Sequence, residues 1–509
     1  MIRYALWVFA GLLAMDVRVV SAQPNAVPLL QRRWFETRSA HFNIYSCAAP
    51  QNVYSLAAYL EQFSDAYTAL AGAQAVASPP IVVMAFPDHE SMKPFLPVYD
   101  GQPANLAGFF KRGSGENLIV LALPDTNSAF SRMQVIFHEY AHLLFRRNGQ
   151  IWPLWLNEGM AEIYSTFEVR GRTVRIGQPI LFYTNLLAAQ PLMPLKELFA
   201  VNHESPQYNE RNRQGIFYAE SWLLTHYLMA GDNPEYRARF GQFTKFLRDG
   251  QLPEEAFTNA LQSSLANVEA GLRRYLKMGR FAPVDCVLSA DVSSPKAMST
   301  RVLTPVETLF RLGKEVLDIG RFDAAEAQFT QARKLAPASP FPYEGLGLLA
   351  AERDQHEQAV RDLKEALQLG ASGFEAHYYY AREKFAMTGD SQGRYSTLDK
   401  DRAAEIRGEL QKTMTLMPDF GPAYQLSGFV ELVQGDDLPA AERFLQRAIQ
   451  LEPENPSYLL SLAQAQMRNK EPDAARQTLK PLLLPHADAK LRAHAMELIQ
   501  EMGQEQSSR

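Results

Sequence analysis

From Leu309 onward the same residue types return in a 34-residue register, and that return dictates a stack of units rather than a single globule. Leu309, Leu312, Gly313, Gly320, Ala325, Phe329, Ala332 and Pro337 mark the first unit, and Leu346, Gly347, Ala359, Leu363 and Ala366 repeat its register. A third unit opens at Ala376 to Gly389 and is interrupted by an insertion, Asp390 to Asp401. Ala441, Leu445, Ala448 and Pro453 restore the pattern, and Ala463, Ala475 and Leu479 continue it. Four or five helical hairpins are expected over 305–502. No hairpin can bury its apolar face alone, so neighbours stack into a right-handed solenoid with a concave groove suited to a protein segment. The alternative is that the array only caps the preceding domain or dimerises.

At roughly 100 to 200 residues per domain, 509 residues leave room for at least one further domain ahead of this array. With 47% hydrophobic and 21% charged residues the chain is of globular type. A net charge of −5 gives no reason to expect nucleic acid or anionic lipid as partner. Two cysteines, Cys47 and Cys286, exclude a disulfide scaffold or a four-cysteine zinc module. Arg3, the apolar run Tyr4 to Met15 and the small residues Val20-Ser21-Ala22 read as a signal peptide, 1–22, cut before Gln23. Its rival is an uncleaved anchor, for which the run is short, since a span needs about 20 apolar residues. The mature chain is expected to be exported, to the periplasm, with no membrane span left. Over 23–284 short β-rich runs (Phe42 to Ser46, Ile81 to Phe86, Asn117 to Leu123) alternate with helical stretches, an α+β pattern. The Ser-, Val- and Pro-rich run 285–304 reads as a linker between separate cores, so a cut near Ala297 is expected to release a folded domain.

The chemistry lies in the α+β part. Ser131-Arg-Met-Gln134 has capping-box form ahead of an apolar-periodic run, and Asn148-Gly149 is a stop signal, which predicts a helix. It holds His138-Glu139-Tyr140-Ala141-His142, whose i, i+4 spacing puts two imidazoles on one face, as two ligands of one tetrahedral zinc require. With fifteen residues between it and His142, Glu158 in Trp155-Leu-Asn-Glu-Gly-Met-Ala-Glu162 is placed to be the third ligand on a second helix opened by Pro153. A fourth position left to water marks a catalytic zinc. Glu139 is then the general base on that water. Glu162, one turn past Glu158, either fixes the tautomer of a ligand histidine or is a solvated surface carboxylate.

HEYAH followed by WLNEGMAE resembles the gluzincin metallopeptidases, which take two histidines from HExxH and a glutamate from a downstream helix. The chain is most similar to the bacterial peptidase-MA-like proteins, exported chains that also begin with a segment like Trp34-Phe-Glu-Thr-Arg-Ser-Ala-His-Phe-Asn-Ile-Tyr-Ser46. The resemblance covers about Trp34 to Phe281 and is specific at the two motifs. It implies a zincin-like fold, one Zn2+ per chain and peptide hydrolysis. The repeats resemble tetratricopeptide proteins in general. One departure matters: the interval from His142 to Glu158 is shorter than in the aminopeptidases, so their substrate pocket does not carry over with the ligands.

Metallopeptidases of this kind place a hydrogen-bond donor for the transition-state oxygen after the glutamate helix. Tyr218, on the helical run Gly215 to Leu228, is the first choice, with His226 and His203 behind it; the alternative is a core tyrosine. Glu116 in Gly113-Ser-Gly-Glu-Asn117 is either the counterpart of the glutamate that holds the substrate amine in aminopeptidases or part of a hairpin turn, and the turn is favoured. The strand after it is a candidate edge for an extended peptide. Cys47 and Cys286, near the two ends of the domain, either pair or are unrelated thiols. The leading expectation is an exported zinc metallopeptidase whose repeats dock a protein substrate or partner. The competing one is a catalytically weak gluzincin scaffold that works as a protein-binding module.

Overall fold

The computed structural model describes residues 27–71, 81–99, 102–103, 108–112, 116–123, 129–147, 152–202, 205, 208, 214–292, 297–389, 395, 398–453, 455–483 and 488–507. The signal segment, Gly113 to Gly115, Asn148-Gly149 and His203 lie outside them. No helix among the described residues is long and apolar enough to cross a membrane.

The first half is built on a six-stranded mixed sheet. β1 (Phe35–Arg38), β2 (Phe42–Ser46) and β3 (Ile81–Phe86) are followed by a small hairpin, β4 (Val98–Tyr99) with β5 (Gln102–Pro103), and then β6 (Gly108–Arg112) and β7 (Asn117–Ala122). β2, β3 and β7 run parallel, and β6 closes one edge antiparallel to β7. Alternation assigns each strand's side chains to two faces. Ile44, Val83, Ala85, Ile119 and Leu121 join a core with helices α2 (Pro50–Ala71), α4 (Ala129–Arg147) and α5 (Leu154–Ser165), the short helices α1 (Val27–Leu30) and α3 (His89–Met92) lying elsewhere. Phe63 stacks on Phe137 at 4.5 Å in that core. A second sheet packs beyond α5, from β8 (Glu168–Arg170), β9 (Thr173–Ile176) and β10 (Val284–Val287). Helices α6 (Leu181–Ala189), α7 (Leu195–Ala200) and α8 (Gln214–Ala230) follow, then α9 (Pro234–Arg248), α10 (Pro253–Leu261) and α11 (Leu265–Met278).

The described residues of 285–304 carry two strands where the sequence suggested a linker. They hold β10 and, at Ser299–Val302, β11, which pairs antiparallel with β1 in the register Phe35↔Val302 to Arg38↔Ser299 and so becomes the other edge of the main sheet. All four β11 residues are exposed, so no apolar alternation marked it. What ties it down is backbone pairing and the buried Glu36, whose carboxylate takes Arg301 at 2.5 Å, Arg38 at 2.9 Å and the Tyr45 hydroxyl at 3.0 Å.

The repeats follow as five hairpins: α12 (Pro305–Asp318) with α13 (Phe322–Leu335), α14 (Pro340–Glu352) with α15 (His356–Gln368), α16 (Phe374–Ala386) with α17 (Lys400–Leu416), α18 (Gly421–Gln434) with α19 (Leu438–Leu451), and α20 (Ser457–Arg468) with α21 (Pro472–Leu479). α22 (Ala489–Ser507) closes the stack against α20. Thr304 and Glu307 form a capping box at the start of α12. The recurring glycines are needed for contact: a Cβ on Gly313 would lie 2.4 Å from the Phe329 ring, and one on Gly347 2.6 Å from Leu363 Cγ.

The cores are not separate either. The second sheet face, Tyr45, Val82, Met84, Phe86, Leu118 and Val120, shares one apolar core with Leu303, Phe310, Leu312 and Val316. Glu116 stands at this junction, 2.9 Å from Lys314 and 3.2 Å from Arg311; Lys314 also reaches Glu375 at 2.5 Å, and the Arg311 guanidinium lies 4.4 Å over the Tyr45 ring. Burial would raise the Glu116 pKa, but the two cations hold it down to about 2. The first helix of the array, α12, thus grips the chain's own sheet, and Glu375 of α16 is tied to it through Lys314.

Candidate active site

α4 and α5 bring the two motifs together. α4 begins at Ala129, so Ser131 lies inside the helix rather than at its cap. α5 starts after Pro153, whose carbonyl takes the amides of Leu156 and Asn157 at 3.0 Å each, and ten of its twelve residues are buried. Trp155 stacks on Phe199 at 5.0 Å. Gly159 is where α5 meets α8 backbone to backbone: a Cβ there would fall 2.3 Å from the Ser221 carbonyl oxygen and 2.2 Å from Thr225 Oγ1. The glycine after Glu158 is therefore what lets α5 seat deeply enough to present that carboxylate to α4.

His138 and His142 face each other with ring centroids 4.7 Å apart and Nε2 atoms 3.0 Å apart. Glu158 Oε2 lies 3.3 Å from Nε2 of His138 and 3.2 Å from Nε2 of His142. That oxygen is buried and has no well-formed hydrogen bond. Ligand atoms of a tetrahedral zinc, at about 2.0–2.1 Å from the metal, stand roughly 3.3 Å apart, so the three atoms fit one such ion. The outer nitrogens are tied as well. His142 Nδ1 is 2.7 Å from Asn157 Oδ1, and His138 Nδ1 is 3.2 Å from Glu162 Oε1. An oxygen at each Nδ1 favours the neutral tautomer protonated there, the form that would turn both Nε2 lone pairs toward one ion. Glu162 is buried, not a solvated surface carboxylate, and accepts the Tyr183 hydroxyl at 2.6 Å.

The electrostatics ask for a cation. Burial pushes the Glu158 carboxyl up, yet the imidazoles beside it hold it down to about 2. Burial likewise disfavours charge on His138, and the Glu162 and Glu158 carboxylates outweigh it, raising its pKa well above the ordinary value. A proton or a divalent ion meets the same demand.

Tyr218 comes up to this cluster, half-buried, its ring centroid 6.3 Å from that of His138. Burial and the charges of Glu158 and Glu139 raise its pKa far above the usual phenol, so the hydroxyl stays protonated. Tyr208, which sequence reasoning missed, hydrogen-bonds to both Tyr218 and Glu158. No apolar periodicity in the sequence around it singled it out. Asn157 was missed too, although its place beside Glu158 was the signal. His226 stands elsewhere: Nε2 is 2.9 Å from the Gly177 carbonyl oxygen and Nδ1 2.8 Å from the Tyr275 hydroxyl, and burial lowers its pKa to about 4.

Two alternatives left open in the sequence are narrowed, for Glu116 and the cysteines, and the expectation of β7 as an edge is corrected. Glu116 is spent on Arg311 and Lys314 at the repeat junction and belongs to the sheet face opposite α4, so it does not hold a substrate amine. β7 is an interior strand, and among the described residues the sheet edge beside α4 is β6, where Ile136 Cδ1 comes within 3.3 Å of the Cβ position of Gly108. Cys47 and Cys286 are both free thiols, one joining the repeat-side core and the other on β10 beside Tyr164.

Comparison with known proteins reaches the repeats. Two family models, each described as tetratricopeptide repeat, match residues 310–374 and 432–497. The chain therefore carries tetratricopeptide repeats, a module that engages protein or peptide partners. Similar solved structures include MamA 41-end from Desulfovibrio magneticus RS-1, at 17% identity over 38% of this chain and 96% of that one, with a TM-score of 0.30. YrrB, titled a TPR protein with an unusual peptide-binding site, is 14% identical over 37% of this chain and 90% of its own, at 0.31. Pseudomonas aeruginosa pilF is 17% identical over 39% and 84%, at 0.32. No curated protein matches the chain. The two models leave the mixed α/β region without support of this kind.

Proposed function

We propose that the chain is an exported zinc-dependent metallopeptidase whose repeats engage a protein substrate or partner. The observation behind the catalytic half is the convergence of His138 Nε2, His142 Nε2 and Glu158 Oε2 within 4.8 Å of one another. These three would hold the zinc, with Asn157 and Glu162 steadying the imidazoles. Bound there, the ion would supply Lewis acidity, making water a better nucleophile and a peptide carbonyl a better electrophile. Glu139 takes the proton from the attacking water and passes it to the departing amine. Tyr218, kept protonated, donates to the carbonyl oxygen as charge builds there, and Tyr208 orients it. The β6 edge offers backbone groups to an extended peptide. Export rests on the signal-like first 22 residues.

A second reading has its own support, because the comparisons back only the repeats. In it the α/β region is a catalytically weak scaffold and protein binding is the whole function. A scaffold has no physical use for Glu139 beside an intact ligand set, which favours the enzyme. Metal analysis of the mature protein with a protease assay on envelope proteins separates the two: zinc with cleavage supports the first, and neither supports the second.

A further inference from the structure

The hold on His138 does not end at Glu162. Oε1 of that carboxylate, 3.2 Å from His138 Nδ1, also accepts the Tyr183 hydroxyl at 2.6 Å, the shorter of the two contacts. The other oxygen lies 3.5 Å from the Ser165 hydroxyl, which donates better to the Glu162 carbonyl oxygen at 2.8 Å. Of these contacts, Tyr183 gives the buried carboxylate its firmest grip. Burial and the Glu162 charge raise the tyrosine pKa far above the usual phenol, so its oxygen keeps the proton and donates.

Tyr183 is itself held from two sides. The turn into α6 hangs on the end of α5, the helix that carries Glu158 and Glu162. There the Gly177 amide donates to the Ile163 carbonyl oxygen at 2.9 Å, the Gln178 amide to Thr166 Oγ1 at 2.9 Å, and Gln178 Nε2 to the Thr166 carbonyl oxygen at 3.1 Å. From α8 the fully buried Trp222 meets the Tyr183 ring, with 6.4 Å between centroids. A donor locked by packing and by backbone bonds can orient a carboxylate, and through it the imidazole beyond. His142 is steadied by a shorter route, the Asn157 amide of α5 at 2.7 Å. We infer that Tyr183 is a positioning residue of the metal site: acting through Glu162, it sets the His138 ring at the angle that brings Nε2 to the ion shared with His142 and Glu158. This rests on the zinc-site reading and extends it to a third layer, on α6.

The test reads zinc affinity of the full-length protein, stripped of metal and titrated against a chromophoric chelator, and needs no hydrolysis. Tyr183→Phe keeps the ring against Trp222 and removes the donor. It is expected to weaken zinc binding about three- to tenfold, less than the roughly 10- to 100-fold of a direct partner to a ligand. Tyr59→Phe, which deletes a comparable hydroxyl donated on α2 to the Phe167 carbonyl oxygen, leaves the affinity unchanged. In Glu162→Leu, which nearly keeps the volume and accepts no hydrogen bond, adding Tyr183→Phe changes the affinity by no more than about twofold. Unchanged affinity in Tyr183→Phe, an equal loss in Tyr59→Phe, or the same loss with and without Glu162 overturns the inference while the zinc site stands. A wild type that binds no zinc removes both. The expected pattern in a protein that cleaves no peptide keeps the positioning role and removes the peptidase reading.

Discussion

Ending the chain at Ala297 removes β11 and every repeat helix. Tyr45, Val82, Met84, Leu118 and Val120, each at most 4% exposed, share their core with Leu303, Phe310 and the hairpins behind them. Uncovering five such side chains costs about 2 kcal/mol apiece, on the order of 10 kcal/mol. Typical domain stability is about 5–15 kcal/mol, so the loss is of the size of the whole. Glu36 also gives up Arg301. A fragment ending at 297 is therefore expected to be insoluble or to lack a cooperative urea transition, whereas one ending at 388, which keeps α12 to α16 and the Lys314 contacts to Glu116 and Glu375, unfolds in one sharp step. Near-UV circular dichroism, dye binding and urea titration of the two fragments make the comparison. A 297 fragment with a sharp transition and full zinc binding would show that the repeats are an appendage and refute the reasoning.

Other outcomes follow from particular contacts. Asn157→Ala frees His142 Nδ1 and lowers zinc affinity about 10- to 100-fold, read by chelator competition; unchanged affinity would reduce Asn157 to a packing residue. Tyr218→Phe lowers kcat about 10²- to 10³-fold with zinc content intact, and Tyr208→Phe has a smaller effect. The reverse order would make Tyr208 the donor, and wild-type kcat in both would leave the oxyanion unassigned. At the repeat junction, burial raises the carboxyls of Asp318 and Glu344 to about 6 and about 7, with Lys314 opposing both, Lys111 opposing Asp318 and Arg311 opposing Glu344, and with Glu116 and Glu375 adding to both shifts. The folded state then binds more protons than the unfolded one between about pH 4 and 7, so stability falls as pH rises through that window. The urea midpoint is expected to be higher at pH 5 than at pH 8 and the slope to flatten in Glu344→Gln; a slope unaffected by Glu344→Gln excludes this origin.

What was legible in the sequence was what depends on near neighbours. The 34-residue return of Gly313 at Gly347 and of Phe329 at Leu363 marks helix contacts made inside one hairpin, and His138 and His142 meet because an α-helix turns every 3.6 residues. Glu158 was readable because a short connection forces α5 back along α4. The junction between the halves was not readable, since β11 is four exposed residues that pair with a strand more than 250 positions earlier. Glu116 shows the same gap: its partners Arg311 and Lys314 lie 195 and 198 residues away, and only the alternation of β7 assigns it to the far face. Tyr208 reaches the cluster from a segment with no period.

Native mass spectrometry of wild type, Glu139→Gln and His142→Ala, each purified with zinc supplied and each assayed on the same peptides, tests the central claim most directly. The expected result is one zinc in wild type and in Glu139→Gln, strongly reduced zinc in His142→Ala, and hydrolysis by wild type alone. Wild type without zinc, or Glu139→Gln as active as wild type, would contradict it.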